Sequence, residues 1–177
     1  MRKVFTLFIV VIITFSCDMS TEKNTQEINQ DELKKEVWAV IEKRFYAWRD
    51  NDLEAYMQTQ HLDWKKWSTS SNELIDNESH KIFWEEAKGN ETVMKMELEL
   101  GEIKISPLGD AAIVHFTSNE KFEWIGSDTD SGWQTGDIFD DAILRWSEML
   151  VYENGKWLCV GGHRDLSFPA ERPKKIN

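Results

Sequence analysis

The feature that most constrains this chain is a change of period at Thr92. Upstream of it, apolar residues recur every three or four positions. Val37, Ile41, Phe45 and Trp48 form one stripe, with Leu33 a turn earlier and Trp38 beside it. That spacing predicts an amphipathic helix. Downstream, apolar residues recur at every second position, the period of a half-buried strand. A chain that makes helices first and a strand meander afterwards is restricted to an α+β arrangement, with helices covering one face of a sheet.

The strand pattern also predicts shape. Met94, Met96, Leu98 and Leu100 alternate with Lys95, Glu97 and Glu99, but after Gly101 the apolar set moves to Ile103 and Ile105. A one-residue phase change at a glycine is the mark of a β-bulge, and a bulge bends its strand. A strongly curved antiparallel sheet is therefore expected. Pro107 to Asp110 is a turn. Strands are expected over Ala111 to Gly126, Phe139 to Tyr152 and Lys156 to Arg164, the last two joined by a Glu153-Asn154-Gly155 hairpin. On the helical side, Asn29 with Glu32, and Asn51 with Glu54, form two cap-and-box starts. A short helix carrying Leu53, Tyr56 and Met57, a brief strand over Trp64 to Ser70, and a third helix through Ile82, Phe83 and Ala87 to Gly89 complete the list.

The N-terminus has a different character. Arg2 and Lys3 precede a run of about a dozen mostly apolar residues, then Ser16 and Cys17. A basic start, a short apolar stretch and a small residue before the processing point make a secretory signal. The run is too short to span a bilayer, which needs about 20 apolar residues. The cysteine directly after the small residue resembles a bacterial lipobox, so residues 1–16 are expected to be a signal peptide and Cys17 the lipid-bearing residue. Residues 17–30 lack aromatics and form a polar tether, residues 31–170 one domain, and residues 171–177 a tail. The formal charge is −11, and becomes more negative once Arg2 and Lys3 leave with the leader. Such a surface repels phosphate backbones and anionic headgroups, which argues against nucleic-acid binding. Attachment to a membrane of the cell envelope is then expected through the lipid on Cys17.

Two stretches resemble a known family. The first is Phe45-Tyr46-Ala47-Trp48-Arg49-Asp50-Asn51-Asp52-Leu53-Glu54-Ala55, similar to a helix-turn-helix pattern of SnoaL-like proteins. The second runs from Arg145 through Glu153-Asn154-Gly155-Lys156-Trp157 to His163. It is similar to the closing hairpin of SnoaL-like proteins and of the association domain of calcium/calmodulin-dependent kinase II. The resemblance implies the cone-shaped fold of the nuclear transport factor 2-like superfamily, a deep apolar pocket between helices and sheet, and a homodimer through the outer sheet face. It implies no one activity, because this superfamily mixes isomerases, cyclases, dehydratases and binding modules. The steroid-isomerase branch carries a base carboxylate just after its first short strand. The comparable residues here, Trp67 to Ser70, include no acid, and Asp63 comes several positions early.

Candidate chemistry follows from these placements. His163 closes the last strand at the expected pocket edge, either as a general base or bonded to neighbouring backbone. Asp63 is the other candidate catalytic group. Tyr46, His61, Trp64, Trp67 and Trp124 are expected around the pocket, among nine tryptophans in all, most of which serve as core. Arg145 alternates with Ser147 and Met149. If that parity faces inward it clamps a ligand carboxylate; if Leu144, Trp146 and Leu150 own the inside, it does not. His115 is expected outside the pocket, His80 at a solvated helix start, and Cys159 as a buried thiol with no base beside it. The acidic loop from Asp128 fails as a calcium loop, since its sixth and twelfth positions are Trp133 and Phe139. No zinc-type spacing and no glycine-rich phosphate loop occur, so no metal or cofactor is expected. The readings that remain are a pocket binding a small apolar or amphipathic ligand without catalysis, a SnoaL-like enzyme using His163 with His61, Tyr46 or Asp63, and a dimerising interaction domain.

Overall fold

The computed structural model describes residues 29–67, 72–129, 133–166 and 174–176. The expected leader, Cys17 and the expected tether up to residue 28 lie outside the described residues, as do residues 68–70 of the expected first strand.

Helix α1 (Gln30–Arg49) starts at the cap read from the sequence. The Asn29 side chain accepts the Glu32 backbone N–H at 3.2 Å, satisfying a donor that the helix cannot pair internally. Asn51 follows in the left-handed region, with φ 58°. Helix α2 (Leu53–Met57) is capped by Asp52 rather than Asn51, through the Ala55 N–H at 2.9 Å. Asn51 occupies the turn instead, and its side chain accepts the Trp84 indole N–H at 3.3 Å. Strand β1 (Gln60–Trp67) begins four residues earlier than its apolar pattern indicates. Strand β2 (Leu74–Asp76), too short to show a period, pairs with it. Helix α3 (Asn77–Asn90) is capped by Asp76.

Five strands complete the chain: β3 (Glu91–Ile105), β4 (Ala111–Trp124), β5 (Ile138–Glu153), β6 (Lys156–Leu166) and β7 (Lys174–Ile176). The sheet order is β2-β1-β6-β5-β4-β3, with β7 beside the start of β5. Every pairing is antiparallel except β1 with β6, so the sheet is mixed rather than wholly antiparallel. Strand β7 falls within the stretch that reads as a tail.

The β3–β4 register shifts between Leu100 and Glu102, which is the bulge expected at Gly101. A Cβ there would come within 2.9 Å of the His115 carbonyl oxygen. A second shift falls between Val93 and Lys95. It turns Val93 onto the core and leaves Met94 51% exposed, so Met94 and Met96 do not share a face as their alternation implies. With further shifts in β4–β5 and β5–β6, the sheet is bent into an open curve.

Helix α1 lies in that curve. Its first half is sealed: Val37 and Ile41 have no exposure and pack with Ile103, Val114, Leu150 and Trp157. Each such aliphatic side chain contributes about 1.5–3 kcal/mol by leaving water. Further along, Phe45 meets Phe116 and Trp146 edge-on at 5.0 and 4.8 Å. Beyond that point the sheet and the helices diverge, and α2 and α3 cover the gap, their Tyr56 and Trp84 packed against each other and against Trp48 of α1.

Candidate functional site

The divergence leaves a cavity of about 880 Å³. Its walls are aromatic. Phe45, Trp48 and Phe83 come from the helices, while Phe122, Trp124 and Trp146 come from the sheet. Trp146 is held in place because its indole N–H donates to the Ser118 hydroxyl at 2.8 Å, which in turn donates to Glu120 at 2.6 Å. Burial raises the Glu120 carboxyl above its ordinary range. Burial does the same to Glu91, and Glu120 adds to that rise.

Cations gather on another side of the cavity. Arg44 sits in the apolar stripe of α1, between Ile41 and Trp48, and is 2% exposed. Its guanidinium donates to the Thr59 hydroxyl at 3.2 Å and lies 4.1 Å above the Tyr56 ring centre. Lys66 follows Trp64 by two residues on β1 and so shares its face. Its ammonium is 5.8 Å from the Trp64 ring and 5.9 Å from the Trp146 ring. Arg164 reaches the same Trp146 ring at 5.5 Å. All three line the cavity. Two glycines of β6 allow its neighbours this close, Gly161 on the β1 side and Gly162 on the β5 side. A Cβ at Gly161 would overlap the Lys65 carbonyl oxygen, and one at Gly162 would stand 2.7 Å from that of Ser147.

Between these cations lies a hydrogen-bonded pair, Tyr56 hydroxyl to His80 Nε2 at 3.2 Å. His80 is 2% exposed, so it is not a solvated helix-start residue. Burial, with Lys66, Arg44 and Arg164 adding to it, drives its pKa down to about 2. Burial also pushes the Tyr56 phenol well above its ordinary value. Both are therefore neutral across the physiological range, and neither is tuned for proton transfer near pH 7. Cys159 is buried as expected, but not without an acidic neighbour. Its thiol donates at 2.7 Å to the carboxylate of Glu148, itself 3% exposed. Burial and the Glu148 charge raise the Cys159 pKa, which keeps the thiol protonated and a poor nucleophile.

The sequence-predicted residues fall in three places. Trp67 and Trp124 line the cavity, and His163 stands at its rim, exposed and opposite Ser147. Trp64 lies behind the lining, 1% exposed and edge-on to His80 at 4.6 Å. Four residues lie elsewhere, Tyr46, His61 and Asp63 against expectation and Arg145 by the outward one of the two parities open to it. Tyr46 is on a side of α1 that leaves its ring under Arg49 at 4.7 Å. His61 bonds Glu153 at 2.9 Å. The Asp63 side chain is 92% exposed. Arg145 is on the outer sheet face, paired with Asp165 at 2.8 Å, because Trp146 takes the inward parity. His115 shares that outer face, bonded to the Ser147 hydroxyl at 2.9 Å.

The residues missed are Arg44, Lys66, His80, Glu148 and Arg164. A signal existed for two of them. Arg44 falls on the Val37–Ile41–Trp48 stripe, and Lys66 keeps the parity of Trp64. Charged groups on a buried face are rare without a task. Among the described residues, no group of three or more His, Cys, Asp or Glu side chains is placed to hold a metal ion.

No protein-family profile matches the sequence, and neither does any curated protein. Solved structures do match. An NTF2-like (nuclear transport factor 2-like) protein from Cytophaga hutchinsonii superposes with a TM-score of 0.57 at 16% identity, covering 79% of this chain and 100% of that one. A ketosteroid isomerase-like protein from Erwinia carotovora atroseptica gives 0.60 at 14%, covering 76% and 95%. The association domain of C. elegans CaMKII gives 0.53 at 18%, covering 76% and 96%. With the helices seated in a bent sheet around an open cavity, these likenesses show that the chain has the nuclear transport factor 2-like fold.

Proposed function

We propose that this chain is a lipid-anchored protein of the cell envelope whose domain holds a small amphipathic molecule in its cavity without transforming it. One observation carries the reading. Aromatic walls enclose a ligand-sized space, and Arg44, Lys66 and Arg164 all face into it. Pockets of this size and lining bury flat organic molecules and orient them with a few polar groups. Three cations favour a ligand whose polar end is anionic. The binding-only reading is supported by the neutral Tyr56–His80 pair and by the outward placement of Asp63. The leader pattern of residues 1–16, followed directly by Cys17, supports the anchor.

A second reading is an isomerase-like enzyme. The observation favouring it is the Tyr56–His80 hydrogen bond inside the cavity, in a fold shared with a ketosteroid isomerase-like protein.

Native mass spectrometry of the purified chain tests the first reading. A co-purifying mass in the range of a small carboxylate, lost in an Arg44→Met or Trp124→Ala variant, is the expected result. Turnover of a substrate panel that collapses in Tyr56→Phe would overturn it in favour of the second.

A further inference from the structure

Lys66 stands out within this cavity. Its amine lies among the indoles of Trp64 and Trp146, at 5.8 and 5.9 Å, and no carboxylate pairs with it among the described residues. Its neighbour Lys65 points the other way and is exposed. A lysine in that setting is held by burial, not by an ion pair. Burial opposes its charge most; of the groups facing it, Glu148 and the Cys159 thiol favour that charge, and Arg164 and Arg44 disfavour it. The result is an amine whose pKa is pushed down to about 8. At pH 7.4 a substantial minority of it is neutral, against well under 1% for an ordinary lysine.

We propose that the Lys66 amine forms an imine with an aldehyde or ketone carried by the ligand of this cavity, making the domain a carbonyl-capturing site for small flat anionic compounds. A desolvated lysine beside other cations is the recognised setting for such a nucleophile. The lone pair of the neutral amine adds to the carbonyl carbon, and the carbonyl π electrons move to oxygen, which takes up a proton. The resulting carbinolamine loses its N–H proton and expels its hydroxyl as water, leaving a C=N bond. One water is released, no oxidant or reductant is consumed, and hydrolysis reverses the step. Arg44 and Arg164 are placed to hold the carboxylate end while the aromatic walls hold the ring.

The inference rests on the cavity being an open ligand site, and the test separates the two. The full chain is incubated with 4-formylbenzoate and cyanoborohydride at pH 7.4, and the reduced adduct is mapped by peptide mass. In parallel, 4-methylbenzoate, which has no carbonyl, is titrated by tryptophan fluorescence. A single adduct at Lys66, forming at least about tenfold faster than at Lys65 and losing that preference in urea, is expected. Lys66→Arg and Lys66→Met should both abolish it, and either variant suffices if the other fails to fold. Binding of 4-methylbenzoate with adducts spread over surface lysines would overturn the imine and leave the cavity reading standing. Neither binding nor selective labelling would overturn both.

Discussion

The two halves of the space under α1 are built from the same helix and the same strands, yet one is solid and the other hollow. Under Val37 and Ile41 the sheet presents Ile103, Val114 and Leu150, which interdigitate at close range. Two turns later the helix presents Arg44, Phe45 and Trp48, and the sheet presents Glu120, Phe122, Trp124 and Trp146. Indoles held at fixed angles and partly buried charges cannot collapse onto one another as branched aliphatics do. Cations that share a wall also repel closure. The solid half fixes the geometry, and the hollow half uses it.

The largest expected effect separates these halves directly. Ile41→Ala removes side-chain volume from a fully enclosed position and should cost about 2–5 kcal/mol in urea unfolding. Phe83→Ala deletes a larger side chain, but one that is 47% exposed and lines the cavity. It should cost less than about 1.5 kcal/mol, since much of its surface never left water. Equal losses for the two would mean that the cavity closes in solution and that the contrast is not real.

His80 sharpens the comparison through pH. Its folded pKa, about 2, lies far below that of an unfolded histidine near 6.5. Between those values the unfolded chain binds a proton that the folded chain does not. Stability contributed by His80 is thus complete above the unfolded pKa and lost as pH falls below it. The slope attributable to this one group is at most about 1.4 kcal/mol per pH unit. Urea midpoints measured from pH 7.5 to 5 should fall for the natural chain and fall less steeply for His80→Phe. The same slope in both would show that His80 becomes protonated within the fold and that the hollow half is wetter than its burial indicates.

The two halves also differ in how legible they were. The solid half is written in periodicity: the stripe on α1, the alternation along β4 and the bulge at Gly101 all follow from spacing. The bulge after Val93 left no glycine and no obvious phase break, so Met94 reads as interior. In the hollow half, Trp67 and Trp124 line the cavity, Trp124 on the face that the alternation along β4 assigns and Trp67 where the family resemblance implies a pocket. Spacing failed for polar groups, because a histidine or lysine near a helix start or strand end reads as solvated unless the partner elements are known. His80 is buried by Tyr56 and Trp64, residues 24 and 16 positions away. Glu148 gains its Cys159 contact only through the β5–β6 pairing. The family resemblance implies Tyr46, His61 and Asp63 at the pocket, whereas one helix-face rotation and one strand end carry them away from it.

Arg145 gives the smallest and last test, on the face opposite the cavity. It is ion-paired to Asp165 at 2.8 Å, but both side chains are more than half exposed. Such a pair gains little over its solvated ions, so Arg145→Ala should change stability by no more than about 0.5 kcal/mol. It should also leave 4-methylbenzoate affinity unchanged, because the inward parity of β5 belongs to Leu144, Trp146 and Glu148. Arg44→Met, on the inner face, should weaken the same affinity at least tenfold, the loss of one charge-assisted contact worth about 1.5–3 kcal/mol. A tenfold loss from Arg145→Ala instead would mean that the outer depression around His115, Ser147 and His163 is the ligand site and that the hollow half is only a badly filled core.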